Sequence, residues 1–166
     1  MKPIIKIILA ATGLFFSAHA LSLDKGQPLP LFALKDLHSG KLTHSSDFHG
    51  KVVYIDFWAT WCSPCLKGLP KLETLQNSFS KDKFEVIAIN VNDDVDTVET
   101  YLEQIGLDLL VLSDPMNLVL ESFKLKGIPT GYLIDQQGQI VLVHTGYGAD
   151  FIKHLEKAVR QQINKS

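Results

Sequence analysis

The chain has 166 residues, 46% of them hydrophobic and 20% charged, with 11 Gly and 7 Pro. This usage is that of an ordinary globular domain, and it excludes collagen-like, low-complexity and disordered chains. The 16 Lys+Arg and 18 Asp+Glu leave a formal net charge of −2, and no long basic run occurs, which argues against nucleic acid as a partner. Length and composition predict one domain with its own core.

The N-terminal segment has the pattern of an export signal. Lys2 and Lys6 precede the apolar run 7–16, and the small residues of a cleavage site follow that run. The run is about half of the roughly 20 residues that a helix needs to cross the bilayer core. We therefore expect residues 1–20 to be a signal peptide for export to the periplasm, leaving one domain at residues 21–166. An uncleaved segment that tethers the protein to the membrane is the alternative.

Downstream of the signal, the hydrophobic pattern alternates between the periods of strands and helices. The predicted elements are strands at 31–35, 41–43 and 52–58, a helix at 66–79, a strand at 84–91, a helix at 95–105, a strand at 109–112, a helix at 115–123, strands at 132–134 and 140–144, and a helix at 151–163. Asp114 is the predicted N-cap of the third helix, with Pro115 at its first position. This order predicts an α/β fold with a mixed sheet.

Two cysteines, three positions apart, lie where the buried strand 52–58 gives way to the first helix. The unpaired N–H groups and the positive dipole of a helix N-terminus favour a thiolate at Cys62, and a thiolate is the species that attacks a disulfide. Cys65, one turn further along, is placed to resolve the mixed disulfide. The pattern therefore predicts a redox pair with Cys62 as the nucleophile.

Two other interpretations of the cysteines compete with a redox pair. A structural disulfide that closes so short a loop would stabilise the fold by only about 2 kcal/mol through loop entropy. A zinc site needs four ligands, but there is no second cysteine pair, and none of the candidate histidines has ligand spacing. We expect no metal and no cofactor at this site.

Asp56 lies inside the apolar strand, six residues before Cys62. Burial disfavours the charged form of a carboxyl group, so the pKa of Asp56 should be raised toward neutrality. Such a group can accept the proton of the Cys65 thiol and return it later. The alternative is an aspartate that bonds to backbone N–H groups at the strand end.

These residues resemble the thioredoxin superfamily. The segment 56–65, with sequence Asp-Phe-Trp-Ala-Thr-Trp-Cys-Ser-Pro-Cys, is similar to the superfamily's strand and active-site motif, and 127–130, Gly-Ile-Pro-Thr, is similar to its cis-proline loop. Together with the export signal and an extra helix–strand–helix between Asp93 and Lys126, they resemble the TlpA/ResA-type exported thiol–disulfide oxidoreductases. The resemblance implies a thioredoxin-like fold, in which helices flank a mixed central sheet and the extra elements precede the cis-proline loop.

The resemblance also implies how substrates bind. It implies a cis bond between Ile128 and Pro129, with the Ile128 backbone free to pair with an extended substrate. Otherwise Pro129 would merely open a strand. Trp61, next to the nucleophile, is expected to form part of an exposed apolar rim that receives substrates. In this branch a Glu commonly stands three residues after the second cysteine, whereas this chain has Gly68.

The predicted function is reduction of disulfides in other exported proteins, through a Cys62 mixed disulfide that Cys65 resolves. The resemblance extends this to cytochrome c maturation. The expected partners are disulfide-containing exported proteins and a membrane electron donor for thiols, with no nucleic acid, and the protein is expected to be a monomer. The alternatives are a copper-handling chaperone of the same fold, or a disulfide oxidase or isomerase that runs the same chemistry in the other direction.

Overall fold

The computed structural model describes residues 23–165, so the proposed signal peptide at 1–20 lies outside the described residues. The strands are β1 (Ala33–Asp36), β2 (Leu42–His44), β3 (Val52–Trp58), β4 (Phe84–Val91), β5 (Leu110–Asp114), β6 (Thr130–Ile134) and β7 (Ile140–Thr145). The helices are α1 (Ser63–Gln76), α2 (Val95–Ile105), α3 (Leu118–Ser122) and α4 (Phe151–Ile163), and a short 3₁₀ turn covers Ser45–Phe48. Within residues 23–165, no helix has the length and apolar character needed to span a membrane.

The seven strands form one sheet in the order β2-β1-β5-β4-β3-β6-β7. The strands β3, β4 and β5 are parallel, as expected for strands joined through helices α1 and α2, whereas β6 and β7 add an antiparallel hairpin next to β3. All seven residues of β3 are buried because the sheet is covered on both faces. This mixed sheet with flanking helices is the predicted thioredoxin-like fold.

Alternate residues of β3 point into two different cores. Val52, Tyr54 and Trp58 belong to the core that also contains both cysteines and the buried faces of α1 and α4. Val53, Ile55 and Phe57 belong to the core on the other face of the sheet, together with Val119 and Phe123. Because strand side chains alternate with a period of two, Asp56 lies on the same face as Tyr54 and Trp58. Strand β3 therefore directs its buried carboxylate toward the cysteine side.

The predicted elements between Asp93 and Lys126 are present as α2, β5 and α3, but the start of α3 was predicted wrongly. Asp114 is the last residue of β5, and the helix begins at Leu118 with Asn117 as its N-cap residue. The Asp114 carboxylate nevertheless accepts hydrogen bonds from the N–H groups of Leu118, Val119 and Leu120, at 2.9 to 3.0 Å. The carboxylate thus satisfies the helix N-terminus from four residues upstream of the observed start at Leu118.

The first helix begins and ends three residues earlier than the hydrophobic pattern suggested. Helix α1 ends at Gln76, so Phe79 lies beyond it. The Phe79 ring packs edge-on against Phe84, with ring centroids 5.3 Å apart, and the Arg160 guanidinium lies over it. Phe79 continues the apolar spacing because it covers the same core, although its backbone has left the helix.

Candidate active site

Cys62 and Cys65 form a disulfide at the N-terminus of α1, with Cα atoms 5.2 Å apart. Cys62 is the N-cap residue, and its Sγ accepts a hydrogen bond from the Cys65 N–H at 3.3 Å. Pro64 occupies the first turn, where a missing N–H costs nothing. Cys62 retains 5% exposure and Cys65 none, which agrees with an attacking thiol at the surface and a resolving thiol inside. A negative charge on the Cys62 sulfur would be stabilised by the helix N-terminus.

A hydrogen-bond network holds the loop that leads into the cysteines. The Asp93 carboxylate accepts the Thr60 N–H at 2.7 Å and the Thr60 hydroxyl at 3.0 Å. The Asn90 side-chain amide donates to the same carboxylate at 2.8 Å, so the end of β4 is tied to the end of β3. Sequence reasoning missed this network because Thr60 and Asp93 are 33 residues apart. It fixes the backbone two residues before Cys62.

Asp56 is completely buried in the core face that the cysteines share. Burial raises the pKa of this carboxyl to about 7, although the hydrogen bond from Tyr147 acts to lower it. Its Oδ2 atom accepts the Tyr147 hydroxyl at 2.6 Å, whereas Oδ1 has no partner among the described residues. The backbone-bonded alternative for Asp56 is therefore not what the structure shows. A buried carboxyl with a pKa near neutrality can take up and release a proton under ordinary conditions.

Tyr147 reaches Asp56 only because Gly68 has no side chain. A Cβ atom at Gly68 would overlap Cε2 of the Tyr147 ring. Gly68 follows Cys65 by three positions on α1, so the two residues lie on one face of the helix. The ring of Tyr147 therefore packs against the helix face that carries the resolving cysteine. Nothing in the sequence pointed to Tyr147, since 91 residues separate it from Asp56.

The cis-proline loop is present as predicted. The Ile128–Pro129 peptide bond is cis. The Pro129 carbonyl accepts the Gly146 N–H at 2.9 Å, and the Thr130 hydroxyl donates to the Gly127 carbonyl at 2.7 Å. The N–H and carbonyl of Ile128 make no hydrogen bond with any residue between 23 and 165. Free backbone groups beside a sheet can pair with an extended segment of another chain.

Trp61 is 63% exposed, as expected for part of an exposed rim, in contrast to Trp58, which is fully buried. Trp61 and Ile128 line one surface depression of about 290 Å³, together with Gly127 and Leu125. An exposed indole next to a nucleophile and beside free backbone groups is a suitable place for a peptide to dock. The structure thus places Trp61 and Ile128, two of the residues that the sequence analysis selected, in one depression.

The match to known proteins agrees with this geometry. The family model for Redoxin matches residues 24–159. The chain belongs to the redoxin family, within the thioredoxin superfamily. Its relatives include the thiol–disulfide oxidoreductase ResA of Geobacillus kaustophilus, 33% identical over 159 residues, which span 92% of this chain and 91% of that protein. The ResA protein of Bacillus subtilis is 32% identical over 133 residues, 80% of this chain and 74% of that one.

Solved structures show the same relationship. A putative thiol:disulfide interchange protein DsbE from Chlorobium tepidum superimposes with a TM-score of 0.80 and 34% identity, over 86% of this chain and 99% of that one. A putative thioredoxin from Neisseria meningitidis gives a TM-score of 0.74 and 29% identity, over 86% and 93% of the two chains. This redoxin is a thiol–disulfide oxidoreductase, and its substrates are disulfide-containing proteins.

Proposed function

We propose that this redoxin reduces disulfides in other exported proteins, with Cys62 as the attacking and Cys65 as the resolving cysteine. The observation that carries the proposal is the placement of the pair. Cys62 caps α1 and keeps some exposure, whereas Cys65 is fully buried one turn further along. This asymmetry gives the two sulfur atoms different tasks, because only Cys62 can meet a bulky protein disulfide.

The exchange transfers two electrons in two steps. In the reduced protein, the Cys62 thiolate attacks one sulfur of the substrate disulfide, the substrate bond breaks, and the other substrate sulfur leaves as a thiolate. The Cys65 thiol then loses its proton and attacks Cys62 Sγ, which breaks the mixed disulfide and releases the second substrate thiolate. The products are a reduced substrate and the Cys62–Cys65 disulfide seen in the structure.

Asp56 is the proposed acceptor of the Cys65 proton. The second step needs a base on the buried side of the pair, and Asp56 lies on the same face of the sheet as Cys65. Its pKa of about 7 makes the ionised form available at neutral pH while the protonated form stays accessible. The unpartnered Oδ1 atom is a site where a proton can bind without breaking a hydrogen bond.

The docking site for the substrate is proposed to be Trp61 together with the Ile128 backbone beside Pro129. An extended substrate segment can pair with the free Ile128 N–H and carbonyl, which places its disulfide near Cys62. The Trp61 indole adds an apolar surface to one side of the same depression. Backbone pairing recognises an extended conformation more than a sequence, so this site suits several substrates.

Replacing Trp61 with serine should weaken the reduction of protein disulfides more than the reduction of small ones. Loss of an aromatic contact of about 1 to 2 kcal/mol corresponds to a rise in KM for insulin of roughly 5- to 30-fold. The rate with a small aromatic disulfide should change less than about twofold, because that reagent needs only the thiolate. Steady-state assays of the reduced proteins with both substrates measure the difference.

Leu42→Ser is the matched control for Trp61→Ser. The exposed fraction of Leu42, 60%, is similar to that of Trp61, 63%. Leu42, however, lies on β2 at the far edge of the sheet. This variant should keep both activities. If Trp61→Ser lost the same fraction of its activity with insulin and with the small disulfide, Trp61 would affect the reactivity of the cysteines and would not bind substrate. A wild-type protein that failed to reduce insulin would contradict the proposed function itself.

The setting of the reaction follows from the export signal proposed at residues 1–20. In an oxidising compartment the pair must be reduced again after every cycle, so a membrane protein that delivers thiol electrons is the proposed partner. The protein is proposed to act as a periplasmic monomer. The likeness to proteins named ResA supports a narrower proposal, that its substrates include proteins of cytochrome c maturation.

A further inference from the structure

The two oxygen atoms of Asp56 have different surroundings. Oδ2 accepts a short hydrogen bond from the Tyr147 hydroxyl, at 2.6 Å. Oδ1 is buried and has no partner among the described residues. A carboxylate held at one oxygen cannot rotate freely, so the other oxygen keeps a fixed direction. Tyr147 is therefore the one described side chain seen to hold this carboxylate in place.

The position of Tyr147 depends on Gly68. The ring occupies the space that a side chain at Gly68 would fill, and any larger residue would displace it. Tyr147 is half-buried, and it also lines a cavity of about 580 Å³ between α1 and the start of α4. Asp56 does not line that cavity. Tyr147 thus lies between the buried carboxyl and the open side of the molecule.

We propose that Tyr147 is a positioning residue for Asp56, and that Gly68 serves the reaction by admitting the tyrosine ring. The hydroxyl donates to Oδ2, stabilises the ionised carboxylate and leaves Oδ1 free to take the proton of Cys65. This inference rests on the proposed function, because it assigns Tyr147 a part in the step that Asp56 performs. Tyr147 itself does not ionise, since burial and the neighbouring Asp56 and Tyr54 raise its pKa above the ordinary range.

Other titratable groups face Asp56 from each element around it. Tyr54 lies on the same strand, and its pKa is raised by burial and by Asp56. Asp56 pairs with Gly131 on β6, and Gly131 pairs with His144 on β7. Burial is the largest cause of the lowered pKa of His144. Cys65, on α1, belongs to the core on the same side of the sheet as Asp56. The cavity beyond Tyr147 is lined by charged side chains: Lys67, Lys71 and Glu156. Burial raises the pKa of Asp56 to about 7, so this carboxyl titrates near neutrality.

Replacing Tyr147 with phenylalanine tests the proposal. The variant keeps the ring over Gly68 and removes only the hydroxyl. The ionised Asp56 then loses its hydrogen-bond donor, so its pKa should rise. The limb of the pH–rate profile, the pH range in which the rate increases as Asp56 ionises, should therefore move up by about one to two pH units. The rate of insulin reduction at pH 7 should fall roughly 5- to 50-fold, because the ionised fraction of Asp56 falls by that factor. The measurement is the rate at saturating insulin from pH 5.5 to 9.

Two further variants separate positioning from packing. In an Asp56→Asn background, Tyr147→Phe should add less than about a twofold change, because its effect passes through the carboxyl. Gly68→Ala should displace the ring and shift the limb in the same direction as Tyr147→Phe, which tests the contact by a second route. His144→Gln, the control for a different titrating group, should leave the limb in place.

The outcomes are distinct. The assignment would be overturned if the limb stayed in place in Tyr147→Phe. It would also be overturned if Tyr147→Phe slowed insulin reduction equally in the wild-type and Asp56→Asn backgrounds. Either result would leave the proposed function intact. If Tyr147→Phe does not fold, the carboxyl ¹³C titration of Asp56 in Gly68→Ala replaces it, with an upward shift expected and an unchanged pKa contradicting the proposal. Failure of the wild-type protein to reduce insulin would instead count against the proposed function.

Discussion

Replacing Cys65 with alanine should convert the enzyme into a trap for its substrates. Without the resolving thiol, the mixed disulfide on Cys62 can be broken only by external thiols, so its lifetime should increase by orders of magnitude. Affinity purification from cells, followed by non-reducing electrophoresis, should show a set of adducts that disappear on addition of dithiothreitol. Turnover with insulin should fall at least 100-fold, because the second step is lost.

Cys62→Ala is the control for this experiment. It retains the buried Cys65, which has no exposure and cannot meet a protein disulfide. This variant should form no adducts and should have no activity. Adducts on Cys62→Ala but not on Cys65→Ala would reverse the roles assigned to the two cysteines. Absence of adducts from both variants would mean that exchange with protein disulfides in cells is not the function.

Replacing Asp56 with asparagine should stabilise the fold, by an amount that depends on pH. The folded-state pKa of about 7 lies above the ordinary value of 3.8 for an aspartate. Between about pH 4 and 7 the folded protein therefore binds a proton at Asp56 that the unfolded chain has released. The free energy of unfolding of the wild type therefore falls as pH rises through this window. At pH 8 the accumulated cost is about 4 kcal/mol, from about 3 pKa units at 1.36 kcal/mol each.

Asparagine carries no charge, so the variant should lack this contribution. Its advantage in unfolding free energy over the wild type should be small at pH 4 and reach a few kcal/mol at pH 8, as measured by urea unfolding of the oxidised proteins. The same substitution should slow the reduction of insulin 10-fold or more at pH 7, because the proton acceptor is gone. A stability difference independent of pH, with wild-type rates from pH 6 to 9, would make Asp56 a purely structural residue.

The part of the site that could be predicted from the sequence is the part whose signals are local. The cysteine spacing, its place between a buried strand and a helix, and the carboxyl in that strand all fall within 56–65. The hydrophobic periods of two and 3.6 identified the strands and helices, because burial on one or both faces determines them. The cis-proline loop came from the resemblance, since an isolated X–Pro sequence is mostly trans.

The contacts that the sequence did not reveal join distant segments. Tyr147 meets Asp56 and Gly68 from a loop beyond β7, and only the packing of α4 against the sheet places it there. Gly68, which has no side chain, indicated room for a neighbouring group at this position of α1 but did not identify Tyr147. The start of α3 was misjudged for a related reason, since Asp114 can reach helix N–H groups while its own backbone is still in a strand.

The central claim, that this pair works as a reductant, is tested most directly by its equilibrium reduction potential. The oxidised protein is incubated with dithiothreitol or glutathione buffers of defined potential, and the free thiols of Cys62 and Cys65 are counted by alkylation and mass spectrometry. A reductase should show a two-electron midpoint more negative than about −200 mV, toward the value of about −270 mV for thioredoxin. A midpoint more positive than about −200 mV, toward the value of about −120 mV for a strong oxidant, would contradict the claim and favour a disulfide oxidase.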